Sequence, residues 1–214
     1  MLIRLDRRNI IVSKTPHLRA LNLLKRLISL NLSKKQTCHI ALAGGKTPLE
    51  LYRTLSSTDL RWERVYFYLG DERYVSIDSE LSNYRSIRET LGHRAKIRFF
   101  KTELEPEECA MDYSAQLPEN LDIALLGLGE DGHTASLFEK ITLVTDRVCL
   151  SKSPDGLLRV SLTDKYLSSS CVVVFFFTSE RKKEAFKKII NNVWPAGSIL
   201  GVSRTYIITD IELP

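Results

Sequence analysis

Short apolar runs alternate with stretches of helical periodicity along most of the chain. Residues 37–42, 65–69, 97–100, 121–126, 157–162, 171–178 and 206–209 read as strands, each a brief run rich in β-branched, aromatic or aliphatic residues. Helices are predicted over about 16–30, 48–55, 82–91, 107–116 and 180–191. In the last of these, Ala185, Phe186, Ile189 and Ile190 recur at helical spacing and form an apolar face. The run Val172-Val173-Val174-Phe175-Phe176-Phe177 has no polar alternation, as expected of a strand covered on both sides. Strand and helix in alternation, with such strands, predict an α/β fold: a mostly parallel sheet between layers of helices. Ligands of such sheets bind at loops beyond the carboxyl ends of the strands, so chemistry is sought there.

Composition narrows the organisation more than the function. With 214 residues, 43% hydrophobic and 27% charged, and with no repeat, low-complexity tract or Gly/Ser linker, the chain reads as one domain over 1–214. The formal charge of +5 favours anionic partners, and phosphorylated metabolites satisfy it as well as nucleic acid does. The basic cluster Arg181, Lys182, Lys183, Lys187 and Lys188 lies on the predicted helix opposite its apolar face and reads mostly as a solvated surface, without interleaved aromatic residues for base stacking. Cys38, Cys109, Cys149 and Cys171 are too far apart in sequence for a CxxC pair and read as buried free thiols in a reducing cytosol. Charges interrupt the first eight residues where a secretory leader needs an apolar run, and the run 171–177 is far too short to span a bilayer.

Three loops carry candidate chemistry. After the first predicted strand come Gly44-Gly45-Lys46-Thr47-Pro48, which end like a nucleotide P-loop; but the first glycine of that motif is replaced by Ile40, inside the strand. Pro48 suits the first helical position, so Thr47 is predicted as the N-cap. Such a turn is either an ordinary strand-to-helix connection or a cradle for an anion, with Lys46 or Thr47 adding donors. The second loop, Gly127-Leu128-Gly129-Glu130-Asp131-Gly132-His133, formally matches GxGxxG. Its charged Asp131 and bulky His133 argue against a dinucleotide, and an acid two residues before a histidine suggests an oriented imidazole able to move protons. The third loop offers Asp71 and Glu72 as candidate catalytic carboxylates and Arg73 as an anion anchor, with Ser82 as a helix cap. Alone, the third loop also reads as a salt-bridged surface turn, and His133 of the second as a solvent-exposed or locally bonded side chain.

Taken in order, "ALAGGKTPLELY", "LGDERYVSIDSELSNYRSI", "LDIALLGLGEDGHTASLF", "LRVSLT" and "FTSERKKEAF" resemble the 6-phosphogluconolactonase family, related to glucosamine-6-phosphate deaminases and isomerases. The resemblance implies a Rossmann-like sheet and hydrolysis of 6-phosphoglucono-δ-lactone to 6-phosphogluconate in the oxidative pentose phosphate pathway, with no metal or organic cofactor. It implies His133 as general base for water, with Asp131 in the same motif. Gly44, Gly45 and Thr47 match a ligand-binding turn, Arg73 and Lys182 match basic positions near the substrate phosphate, and Asp71 and Arg159 match polar site positions. The chain departs from the family pattern at Ala43 and Lys46, which flank the glycine pair where Ser, and Ser or Arg, are usual. It departs again at Glu139, where Pro commonly follows "SLF", and at Ser179, where Gly is expected. The expectation is a cytoplasmic enzyme, a monomer, acting on a small phosphorylated lactone without nucleic-acid or membrane partners. A deaminase or isomerase of amino-sugar phosphates and a non-catalytic sugar-phosphate sensor are the alternatives.

Overall fold

The computed structural model describes residues 1–5 and 7–213. In chain order its elements are β1 (Leu2–Leu5), β2 (Arg8–Val12), α1 (Pro16–Leu32), β3 (Cys38–Leu42), α2 (Lys46–Ser56), β4 (Val65–Leu69), β5 (Asp71–Arg73), α3 (Asn83–Leu91) and β6 (Lys96–Arg98). They continue with α4 (Pro106–Gln116), β7 (Ile123–Leu126), β8 (Ile141–Leu143), β9 (Val148–Lys152), β10 (Leu158–Leu162), α5 (Asp164–Ser168), β11 (Val172–Phe176), α6 (Lys183–Ile190) and β12 (Arg204–Thr209).

Eight strands form the main sheet in the order β1-β2-β12-β11-β7-β3-β4-β6, parallel throughout except for the β1–β2 hairpin. The α/β reading therefore holds. β7 and β11 are buried at every position, as the unalternating sequence requires. α1 buries Ala20, Leu21, Leu24, Leu27, Ile28 and Leu32, a stripe at three- and four-residue spacing. Each such leucine contributes about 1.5–3 kcal/mol by leaving water.

The strand order also locates the ligand-binding end. From β3 the chain steps outward through β4 to β6, then returns to place β7 on the other flank of β3 and continues through β11 to β12. The order reverses between β3 and β7, and loops diverging at such a point leave a crevice at the carboxyl ends of the strands.

Four features correct the sequence-based expectations. The predicted strand at 157–162 does not join the parallel sheet: as β10 it belongs to a second, antiparallel sheet, β5-β10-β9-β8. The amino-terminal hairpin was hidden by its charges, yet Arg8 is fully buried, donating to Asn192 Oδ1 at 2.9 Å and to the Gly197 carbonyl at 2.6 Å. Cys38, Cys109 and Cys149 are buried, and desolvation pushes their thiols up to about 12, but Cys171 is exposed. Thr47 is not the N-cap of α2. Gly45, at φ +92, turns the chain into the helix a residue pair earlier, leaving Pro48 third in the helix, where a missing N–H costs no intrahelical bond.

The departure at Ser179 has a backbone cost. Its φ is +93, a conformation that glycine adopts freely and serine does not, while its N–H is held by Asp210 Oδ1 at 3.0 Å. Such a residue costs about 1–3 kcal/mol, against about 0.5–1 kcal/mol for the extra chain entropy of glycine. Ser179→Gly is expected to raise the melting temperature by about 2–4 °C. A calorimetric scan showing no change or a decrease would refute the strain.

Candidate active site

Four parallel strands that are neighbours in the sheet, β11, β7, β3 and β4, each send a loop from the carboxyl end to one cavity of about 550 Å³. The second sheet closes it from the side through Arg73 of β5 and Arg159 of β10. Gly44, Gly45, Lys46, Thr47, Asp71, Arg73, Asp131, His133, Arg159 and Lys182 all line this cavity, whereas Glu72, the second candidate carboxylate, does not.

The loop after β7 joins Asp131 to His133. His133 Nδ1 lies 2.6 Å from Asp131 Oδ1, and the His133 backbone N–H donates to the same oxygen at 3.1 Å. With Nδ1 committed to the carboxylate, Nε2 is the nitrogen left to exchange protons with a ligand. Partial burial pushes the Asp131 carboxyl upward, but the His133 N–H, the imidazole's charge and its ring hydrogen bond outweigh this and hold it below the usual range. Phe138 packs against the imidazole with ring centroids 4.6 Å apart. Gly132 takes φ +98 to bring Asp131 and His133 onto one side, and Thr134 ties the loop back by donating to the Gly127 carbonyl at 2.8 Å.

The loop after β4 separates the two carboxylates that the sequence offers together. Glu72 is buried and is not a cavity residue: it accepts from the backbone N–H groups of Arg73, Asn83 and Tyr84 at 2.7–2.8 Å and from the Ser82 hydroxyl at 3.1 Å. Burial raises its carboxyl, only partly offset by those donors. Glu72 thus anchors the start of α3, whose N-cap is Ser82, and not a reacting group. Asp71 does line the cavity, with Oδ2 accepting from Ser136 at 2.6 Å and Oδ1 from Asn83 at 3.5 Å.

Two cations meet across the small sheet. Arg73 and Arg159 are direct partners in the antiparallel register of β5 and β10. Burial lowers the Arg159 pKa, and the like charge of Arg73 lowers it further. Lys182, in the turn before α6, is likewise lowered by burial, with Glu130 opposing the change. Cations held against their own desolvation and repulsion in a concave site are chemically suited to an anion.

Sequence reasoning missed Asn83, Ser136 and the Ser153–Asp155 pair, all of which line the cavity. Asn83 accepts a short hydrogen bond from Arg73 and donates to the Asp71 carbonyl at 3.0 Å, and a Cβ on Gly44 would lie 2.0 Å from its Oδ1. One side chain therefore couples the glycine turn to Asp71 and Arg73. Ser153 accepts from Arg159 Nε at 3.2 Å and donates a short bond to Asp155. A small polar residue in a loop has no periodicity to mark it; for Asn83 the only sequence signal was its position at the start of a helix following the acidic turn. Of the basic cluster, Lys187 pairs with Glu184 at the surface as expected, whereas Lys182 enters the cavity and Lys188 bonds the Asp131 carbonyl at 2.6 Å.

The chain as a whole is similar to known proteins. The 6-phosphogluconolactonase of Thermotoga maritima is 35% identical over 186 residues, covering 81% of this chain and 84% of that one. That of a Synechocystis species is 35% identical over 168 residues, 70% of each chain. A crystal structure of 6-phosphogluconolactonase from Thermotoga maritima, 28% identical, superposes with a TM-score of 0.85 over 94% of this chain and 98% of that one. A family model described as glucosamine-6-phosphate isomerases/6-phosphogluconolactonase matches residues 17–207. The chain belongs to the glucosamine-6-phosphate isomerase/6-phosphogluconolactonase family.

Proposed function

We propose that the protein hydrolyses 6-phosphoglucono-δ-lactone to 6-phosphogluconate, the lactone-opening step of the oxidative pentose phosphate pathway. The observation that carries this reading is the Asp131–His133 pair, 2.6 Å apart, in a cavity also lined by Arg73, Arg159 and Lys182. The names of the relatives agree with it. His133 Nε2 takes a proton from water as the water oxygen bonds to the lactone carbonyl carbon. The tetrahedral intermediate then collapses, the bond from that carbon to the ring oxygen breaks, and the imidazolium returns the proton to the departing oxygen. Asp131 holds the ring in the required tautomer and stabilises its charge. N–H groups at the start of α2, where Gly44, Gly45, Lys46 and Thr47 line the cavity, are suited to the charge that gathers on the carbonyl oxygen. Arg73, Arg159 and Lys182 supply the charge for the phosphate, and Asp71 accepts from sugar hydroxyls.

The same reading treats residues 1–214 as one domain, supported by a single buried apolar cluster that draws on both sheets. It has the protein working as a cytoplasmic monomer on a small-molecule substrate, without a nucleic-acid or membrane partner. Among the described residues no helix is long and apolar enough to cross a membrane.

Acid release from freshly generated 6-phosphoglucono-δ-lactone at neutral pH, against the uncatalysed background, tests the reaction. Ammonia release from glucosamine 6-phosphate without lactone hydrolysis would reassign the cavity to the other branch of the family. Arg73→Ala is expected to raise KM for the phosphorylated lactone by about tenfold or more while leaving unphosphorylated gluconolactone unaffected, since a remote anchor acts through capture and alignment. Equal losses on both substrates would remove Arg73 from the phosphate.

A further inference from the structure

Behind the Asp131–His133 loop lies a lysine that the catalytic cavity does not contain. Lys188 occupies the last turn of α6 and lines an adjoining cavity of about 930 Å³, with which it shares Asp131 and His133 as a wall. Its Nζ donates to the Asp131 backbone carbonyl at 2.6 Å. Its stem lies along the face of Gly132, close enough that a Cβ there would sit 2.8 Å from Lys188 Cδ. The loop at this point thus rests on the lysine's methylenes as well as on its ammonium group.

The base from which Lys188 reaches is rigid. Ala185, Phe186 and Ile189 of α6 are fully buried, so the helix is docked on the core on both sides of the lysine in sequence. The Lys188 carbonyl accepts from the Val193 N–H at 2.8 Å, and the next turn is held in place by Arg8 through Asn192 Oδ1 at 2.9 Å. Asp131 itself is gripped at two points. Its carboxylate is held by His133 and its carbonyl by Lys188, and between them lies the one peptide that leads into Gly132 at φ +98.

We propose that Lys188 is a positioning residue for the Asp131–His133 pair: by fixing the Asp131 carbonyl and bracing Gly132, it holds the carboxylate where it aims the imidazole into the catalytic cavity. Its kinetic consequence rests on the hydrolase reading above; its effect on the imidazole does not. Losing the ammonium frees the peptide after Asp131 to rotate, and an acid/base group displaced by a fraction of an ångström loses its alignment with the attacking water.

Two substitutions separate position from packing. Lys188→Met keeps the methylene stem and removes the donor, while Lys188→Arg keeps a donor of similar reach. Lactone kinetics give one readout. The other is the imidazole proton and nitrogen signals of His133 in NMR spectra of the full-length protein, assigned by their absence in His133→Ala. Lys188→Met is expected to lower kcat about tenfold with KM little changed, and to shift or broaden the His133 Nδ1–H signal; Lys188→Arg is expected to restore both, kcat to within about threefold. A Met variant with the wild-type signal overturns the proposal, as does one in which the signals of His17 and His39 move equally, which would mark a general loosening. If the wild-type protein does not hydrolyse the lactone, the hydrolase reading fails and the His133 signal alone decides the role of Lys188.

Discussion

Replacing His133 by Ala is expected to lower turnover of 6-phosphoglucono-δ-lactone by about 10²–10⁴, the range a positioned general base supplies. The loss should fall on kcat, because the cations proposed to hold the substrate, Arg73, Arg159 and Lys182, lie on other strands and loops and are untouched. His133 is one-third exposed, with its ring flanked by Phe138 and its Nδ1 tied to Asp131. Truncation therefore leaves no buried unpaired charge, and the variant should keep its melting temperature. Product binding gives the control: 6-phosphogluconate should still bind to His133→Ala. Near-normal turnover at saturating lactone would take the proton-transfer role away from this residue, and loss of product binding together with activity would make it a binding group instead.

A comparable loss is expected from a change that leaves every functional side chain in place. A Cβ on Gly129 would lie 2.3 Å from His133 Cε1 and Nδ1 and 2.6 Å from Asp131 Oδ1, inside contact distance of both members of the pair. The backbone there has no easy retreat, since the Gly129 N–H donates to the His133 carbonyl at 2.8 Å and the Gly129 carbonyl accepts from Gly132 at 3.2 Å. Relief has to come from the imidazole, which can move only by giving up its bond to Asp131 or its packing on Phe138. Gly129→Ala should therefore cost about a hundredfold in kcat. Its KM should change little, because the cations proposed to bind the phosphate stand apart from this loop. An alanine variant with wild-type kcat would mean that the ring tolerates displacement, and with it the case for a tightly aimed base would fail.

The parts of this architecture that were legible in the sequence are those that repeat or stand out chemically. Runs such as Val172–Phe176 and the apolar stripe of α1 announce themselves because a buried element must be apolar at a fixed period. The glycine loops were legible as a set: each alone has an ordinary structural reading, but their motifs follow one another in the order of a known family. The second sheet was not. β5 is three charged residues, Asp71, Glu72 and Arg73, and pairs with β10 through backbone groups that leave no mark on composition. The roles within "DER" were hidden for the same reason: Glu72 is consumed by three N–H groups, a fact of backbone placement that side-chain identity does not reveal. Asn83 and Lys188 act by bonding carbonyls, and Asn83 also by accepting from Arg73, so nothing local distinguishes them from any other polar residue on a helix.

The register that sets Arg73 opposite Arg159 has a thermodynamic side. Two guanidinium groups fixed in adjacent strands repel each other, one of the causes that lowers the Arg159 pKa. On the proposed function, a dianion seated there would offset the repulsion and add its own attraction. Part of the ligand's binding energy thus appears as cohesion of the small sheet, so that occupancy and resistance to unfolding rise together by mass action. In the cell, a protein of this design would be longest-lived when the metabolite it serves is abundant.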